Sequence, residues 1–336
     1  MTEPPDEGIN PRVSVVIPTA GHRSLLSRAV STALTGMRAG EVEVIVVPNG
    51  PNSSCVEMMR GYDDNPDVIV SPIPMADANA ARNHGLSLAR GRYVRFLDDD
   101  DLLYPEGARS QYAIMDDSRA DVCSGAFDAM DDKGSVFQTV CQAPTDDLIS
   151  ALFSRHGMWQ PTAHVYRREA IQYLRWKESL AYCQDFAWLL DVALENERRW
   201  VRCEYTVGAW HRHLSPRISL DASDEARRRM LVELTLPAVL KLEADGRMTE
   251  ERRKAVATFL WKGVHDSLCY RPLYWTKVAR KAQEIAPGSH PDIPLYAHHS
   301  SWRLDPLLWE WLMLPKRRMN RWLHSRARSD GRLGHG

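Results

Sequence analysis

The chain has 336 residues, 44% of them hydrophobic and 26% charged, with a formal net charge of −1. That length suits one large domain or two ordinary ones, and the apolar content supports a packed core over wholesale disorder. A charge balance this close to neutral argues against a nucleic-acid partner held by bulk charge.

The opening stretch "MTEPPDEGIN" lacks the basic start and apolar run of a secretory signal. No run of about 18 apolar residues follows anywhere, so no membrane span is expected. The six cysteines are scattered, without a CxxC pair, and read as reduced thiols. These features point to a cytoplasmic location, at the inner face of the membrane if the acceptor is lipid-linked.

In chain order, "VSVVIP" (Val13 to Pro18) predicts a buried strand stopped by proline. "SLLSRAVSTAL" places Leu25, Ala29, Val30, Ala33 and Leu34 at helical spacing, with Ser24 as the N-cap. "VEVIVV" (Val42 to Val47) predicts a second buried strand, ended by the turn formers "PNGPNS". A short strand near Val68 to Val70 precedes "ANAARNHGLSLARG", a helix expected to stop at Gly91. "YVRFL" is then a strand, and "DVCSGAFDAM" and "SVFQTV" predict two more. Strands alternating with helices imply an α/β fold with a mostly parallel sheet flanked by helices. Ligands of such sheets sit beyond the carboxyl ends of the strands, so the loops after Ile17, Val47 and Leu97 are expected to share one crevice.

The third of these loops opens with "LDDDD", Leu97 to Asp101. Neighbouring carboxylates do not all ionise cheaply in a low-dielectric crevice. A hard divalent cation such as Mg²⁺ or Mn²⁺ removes the difficulty, takes oxygen ligands and neutralises charge on a departing phosphate. The plainer alternative is a solvated acidic turn or an acid-rich helix start.

Five pieces, in order, resemble a family 2 glycosyltransferase of the GT-A (nucleotide-diphospho-sugar transferase) fold. They are "VSVVIPTAGH", "VEVIVVPNG", "ARNHGLSLARGRYVRFLDDDD", "CQDFAWLLDVAL" and "WHRHLSPRIS", and the resemblance spans Val13 to Ser219. It implies a metal-dependent, inverting transfer of a sugar from a nucleotide sugar, UDP-linked by preference, to a carbohydrate or lipid-linked acceptor. The pathways it implies build cell-surface polysaccharides, glycolipids or glycoconjugates. Asp98 and Asp100 match the DXD pair, with Asp100 on a Mn²⁺ or Mg²⁺ ion and Asp98 on the ribose or the ion's waters. Asp185 matches the catalytic base, and His213 the histidine that reaches the metal or diphosphate, with His211 as its neighbour and competitor. Pro18, Thr19, Asn49, Arg82, Asn83 and Asp99 fall among the donor-binding positions, and Gly50 serves the turn. Asp101 belongs to the same acidic run, with a cap for the following helix as its plainer reading. Trp159 and Gln160 fall where the family lines its acceptor pocket, as a sugar platform and a hydroxyl partner, or else as packing. The sequence departs from the family at Pro48-Asn49, where an acidic pair is usual, at Gln184 for Glu, and at Trp210-His211 for Tyr-Arg.

The domain reading has a disordered N-terminus over about 1–11 and a catalytic domain over about 12–220. That domain's nucleotide-binding half is about 12–105 and its acceptor half about 106–220, followed by a helical region over about 221–336. In the last region Asp245-Gly246 divides two helices. "PLLWEWLMLPKRRMNRWLHSRAR" suits an anionic membrane surface, or packing on its own protein or on a second copy, the packed reading being preferred. Two rival functions remain in view. One is a sugar-phosphate nucleotidyltransferase, which "PTAGHRS" matches poorly. The other is a binding scaffold that has lost turnover, against which intact Asp98, Asp100 and Asp185 argue.

Overall fold

A computed structural model describes residues 11–21, 23–51, 60–62, 64–154, 159–178, 180–211, 223–293, 296 and 305–319. Most of the N-terminus expected to be disordered, residues 1–10, lies outside that set. The chain divides into two compact units, Met1–Leu152 with His156–Leu220, and Phe153–Arg155 with Asp221–Gly336.

In the first unit the two unbroken apolar runs form β1 (Val13–Thr19) and β2 (Val42–Pro48), and every residue of both is buried. Burial on both faces is what a strand with no polar alternation requires. β1 lies between β2 and β4 (Tyr93–Phe96), parallel to each, and β2 pairs in parallel with β3 (Val68–Val70). Beyond β4 the sheet becomes mixed. β8 (His164–Arg167) runs antiparallel to both β4 and β6 (Val122–Met130), and β6 runs parallel to β9 (Trp200–His211). The short β5 (Leu102–Leu103) joins β9, and β7 (Val136–Val140) joins β6, both antiparallel. Among the described residues this makes one nine-stranded sheet, ordered β3-β2-β1-β4-β8-β6-β9-β5 with β7 on β6.

The helices α1 (Arg23–Leu34), α2 (Ala78–Leu88) and α3 (Pro105–Asp117) are followed by the short α4 (Leu148–Leu152) and α5 (Arg168–Ile171), then α6 (Gln184–Glu195). Two expected boundaries move. α1 begins at Arg23, so position 24 falls inside the first turn and not at the N-cap position expected for Ser24. α2 ends at Leu88, before Gly91, because the next residues find partners on the sheet. Arg90 N–H donates to Glu43 Oε1 at 2.7 Å and Gly91 N–H to Ser14 Oγ at 2.8 Å, which draws the chain out of the helix. Gly85 is what lets α2 lie close to the sheet, since a Cβ there would meet Val16 Cγ1 at 2.3 Å.

The second unit contains α7 (Asp224–Ala244), α8 (Glu250–Ser267), α9 (Pro272–Ile285) and α10 (Pro306–Leu312). Side-chain oxygens of Ser223 and Thr249 cap α7 and α8. Their break falls at Asp245-Gly246, as the sequence leads one to expect, with Gly246 at φ 66°. Leu242, Val256, Leu260, Trp261, Val264 and Trp275 are sealed inside this unit. Among the described residues no helix is long and apolar enough to cross a membrane.

Candidate active site

The carboxyl ends of β1, β2 and β4 come together, as parallel strands with buried faces dictate. Asn49 N–H and its side-chain Nδ2 both donate to the Thr19 carbonyl, at 2.9 and 3.0 Å. Thr19 Oγ1 donates to Asp99 Oδ2 at 2.5 Å, tying the first loop to the acidic run. Pro18 sits one step earlier, paired in register with Val47. Gly50 turns the second loop at φ 91°, a left-handed conformation that favours glycine.

α2 brings Arg82 onto the acidic run. Its Nη2 donates to Asp98 Oδ1 at 2.6 Å, and its Nη1 donates to Asn79 Oδ1 at 2.9 Å and Gln184 Oε1 at 3.3 Å. The guanidinium carbon lies 4.5 Å from the centre of the Trp176 ring, which stacks on Trp188 at 4.7 Å with the planes 1° apart. Phe96, the last residue of β4, meets both rings edge-on. This aromatic block fixes the buried guanidinium from below while its planar fork addresses the acids, a task lysine could not perform. Burial alone would lower the Arg82 pKa, but Asp98 and Asp185 hold it above its ordinary value.

Asp185 lies in the first turn of α6, whose apolar face (Phe186, Leu189, Leu190, Ala193) is buried. The N-cap is Cys183, held at φ 61° and ψ 28° without a side-chain cap, so Asp185 stands one position inside the helix end. Burial pushes its pKa up from 3.8 to about 7; Arg82 opposes that rise and Asp98 adds to it. A carboxyl of this kind is half-ionised near neutral pH, which suits a general base.

Asp98, Asp100 and Asp101 each bring a carboxylate oxygen within 4.8 Å of the others. Carboxylate oxygens at this spacing suit a Mg²⁺ or Mn²⁺ ion, and the two that could turn to one are those of Asp98 and Asp100. Asp98 and Asp100 keep part of their surface open, whereas Asp101 is fully sealed. Asp101 does not cap α3, whose N-cap is Tyr104. Instead its carboxylate accepts from Gln160 Nε2 and Thr162 Oγ1, each at 2.8 Å, and from His211 N–H at 3.1 Å. Burial, then Asp100 and Asp98, push its pKa well above the ordinary aspartate value, against the hydrogen bonds from Thr162 and His211.

The remaining expected residues fall around this centre. Asn83 is buried in the support: Nδ2 donates to the Trp176 carbonyl and to Glu178 Oε1, both at 2.9 Å, while Oδ1 accepts from Trp176 N–H at 2.7 Å. It positions the segment carrying Trp176. Trp159 Nε1 donates to the Leu152 carbonyl at 2.9 Å and its ring meets Phe186 edge-on. Gln160 is engaged with Asp101, and the buried His211 has its Nε2 4.0 Å from Asp132 Oδ1. His213 lies outside the described residues. Sequence reasoning missed Asn79, Thr162, Trp176 and the anchoring role of Asp101, because each acts on a partner remote in the chain. Arg28, whose Nη2 donates to the Asp100 carbonyl at 3.0 Å, was missed for the same reason.

The family model described as glycosyl transferase family 2 matches residues 14–190, just over half of the chain. An uncharacterized glycosyltransferase of Escherichia coli K12, YibD, is 30% identical over 182 residues, covering 48% of this chain and 49% of its own. The Staphylococcus aureus poly(ribitol-phosphate) beta-N-acetylglucosaminyltransferase TarP is 25% identical over 150 residues, 42% of this chain and 46% of its own. This chain therefore spans about half the length of either relative. Residues 1–349 of S. aureus TarS, solved with UDP-GlcNAc, superpose with a TM-score of 0.67 over 92% of both chains at 17% identity, a likeness of fold. The strand-end acids, the α/β sheet that presents them and the match across 14–190 agree: this chain belongs to glycosyl transferase family 2 and has its GT-A fold.

Proposed function

We propose that the protein transfers a sugar from a nucleotide sugar, UDP-linked, to an acceptor hydroxyl with inversion at the anomeric carbon, in the building of a cell-surface polysaccharide or glycoconjugate. The observation that carries this reading is Arg82, which donates to the strand-end Asp98 at 2.6 Å and to Gln184 at 3.3 Å, next in the chain to Asp185, the helix-start carboxyl whose pKa burial lifts to about 7. The UDP-GlcNAc complex of TarS and the relationship to TarP support a UDP donor and a carbohydrate or polyol-phosphate acceptor.

In this reading the loops at Pro18-Thr19 and Asn49 hold the nucleotide. Asn49 has an amide hydrogen on the Thr19 carbonyl, and its Oδ1 is the acceptor it brings to the base edge. Asp100 and Asp98 would hold a Mg²⁺ or Mn²⁺ ion, with His213 as a further ligand. When bound, the ion supplies Lewis-acid neutralisation of the leaving diphosphate. Asp185 takes the proton from the acceptor hydroxyl as its oxygen attacks the sugar, in one displacement and without the covalent intermediate of retaining hydrolases. Arg82 keeps Asp185 from rising further in pKa and donates to Asp98.

The test is a nucleotide-sugar panel by calorimetry with and without Mn²⁺ and Mg²⁺, followed by NMR of the product's anomeric configuration. UDP-GlcNAc heads the donor panel and poly(ribitol phosphate) the acceptors. The expected result is a UDP-sugar whose affinity the metal raises by about tenfold or more, with an inverted product. Silence across the panel, or a retained configuration, overturns the reading.

A further inference from the structure

The stretch 305–319 carries two faces of opposite character. Inward, Glu310 is fully buried and Leu314 nearly so. Glu310 accepts from His265 Nδ1 at 2.9 Å and from Arg317, and Arg317 also donates to the His265 carbonyl at 2.9 Å. This part of the segment packs on its own unit, as the sequence reading preferred.

Outward, Leu308, Trp311, Leu312 and Met319 are 50%, 38%, 60% and 57% exposed, with exposed Pro315 between them. Leu308, Trp311 and Leu312 form an apolar stripe on one face of α10, and Pro315 and Met319 follow beyond the turn at Met313. Lys316 and Arg318, both exposed, follow that stripe in the chain. Trp311 Nε1 donates to Thr276 Oγ1 at 3.0 Å, which sets the stripe beside α9. On the same face of α9 as Thr276 stand Leu273, 77% exposed, and the exposed Lys277 and Arg280. Of the acids nearby, Glu310 is inside, Asp305 Oδ1 accepts from Leu307 N–H at 2.8 Å to cap α10, and the exposed Glu284 on this face of α9 is paired with Lys281 at 2.5 Å. The sequence beyond adds Arg321, Arg326, Arg328 and Arg332 against Asp330 alone.

We propose that this face rests on an anionic lipid bilayer, with Leu308, Trp311 and Leu312 in the headgroup layer and Lys316 and Arg318 among the lipid phosphates. An exposed apolar stripe accompanied by the exposed cations Lys277, Arg280, Lys316 and Arg318 complements such a surface in polarity and in charge. Tryptophan suits that depth, and the aliphatic stems of lysine and arginine let their charges reach the phosphates. The inference does not depend on the transfer chemistry, and it would bring the enzyme to a lipid-linked acceptor.

Flotation of the full-length chain with phosphatidylglycerol–phosphatidylcholine vesicles, and with phosphatidylcholine alone, tests it. Binding is expected to the anionic vesicles and to fall about tenfold or more with neutral lipid or high salt. Leu308→Ser with Leu312→Ser, and separately Lys316→Glu with Arg318→Glu, should each weaken binding by about tenfold or more. All four side chains are exposed, and circular dichroism checks that the fold is kept. Arg317 is left alone because it holds Glu310. Absence of vesicle binding overturns the proposal, as does full binding by the serine variant, which would leave charge alone at work. Self-association that the serine variant abolishes, without vesicle binding, would assign the stripe to a second copy instead.

Discussion

The Asp101 carboxylate accepts the main-chain N–H of His211 at 3.1 Å, 110 positions along the chain, while its other oxygen accepts from Gln160 and Thr162. One sealed acid thus ties the acidic run to the segment before β8 and to the end of β9. All three partners are donors, so alanine at 101 would leave each of them unmatched in a sealed site. Asp101→Ala is expected to cost about 1–3 kcal/mol of stability in urea unfolding. Donor affinity in Mn²⁺ should also weaken, because the loop carrying Asp98 and Asp100 loses its anchor. An unchanged unfolding midpoint would show that the anchor is dispensable.

The raised pKa of Asp185 predicts a pH dependence whose sign can be worked out. The unfolded chain releases this proton near 3.8 and the folded chain near 7. Between these values the folded state holds the extra proton, so raising the pH lowers stability, and above about 7 the cost is fully present. Asp185→Asn is therefore expected to be more stable than the parent at pH 8, and to lose that advantage near pH 4, by thermal unfolding at both. Transfer by the parent should fall as the pH drops through about 7, since the base must be ionised.

Arg82 sets where that limb lies. Its charge pulls the Asp185 pKa down against burial, so Arg82→Ala should move the acidic limb of the transfer rate to higher pH by about one unit. Arg82→Lys keeps the charge but loses the fork to Asp98, Asn79 and Gln184, so its limb should move less while its rate still drops. Identical pH profiles for all three proteins would remove Arg82 from this role.

The strands and the acids were legible in the sequence for a local reason. Runs such as "VSVVIP" and "VEVIVV" need no partner to announce burial on both faces, and Asp98 and Asp100 stand where such a strand must end. What stayed hidden depends on contacts between distant residues. Gly91 reads as a helix stop, but the helix ends earlier because Glu43 and Ser14 capture the backbone at Arg90 and Gly91. Asp101 reads as a cap because the sequence does not show Thr162 or His211 beside it. Asn83 reads as a donor contact, yet its amide is spent on Trp176 and Glu178, 93 and 95 positions away. The stacking of Arg82 on Trp176 is invisible for the same reason.

Gly85 carries the approach of α2 to the sheet, and through it the placement of Arg82. Gly85→Ala would set a Cβ 2.3 Å from Val16 Cγ1. The expected cost is about 1–3 kcal/mol, with reduced transfer as Arg82 backs away from Asp98. Val16→Ala in the same chain should recover part of the activity, and a double-mutant cycle by urea unfolding measures that coupling. Strict additivity would mean that the two residues do not meet.

The central claim is that Asp185 takes the proton in a site otherwise complete without it. Asp185→Asn, assayed for transfer and titrated with donor by calorimetry in the same metal-containing buffer, tests this most directly. The account predicts transfer reduced by about a thousandfold and donor affinity within about threefold of the parent. Transfer at the parental rate, or lost transfer matched by lost donor affinity, would contradict it.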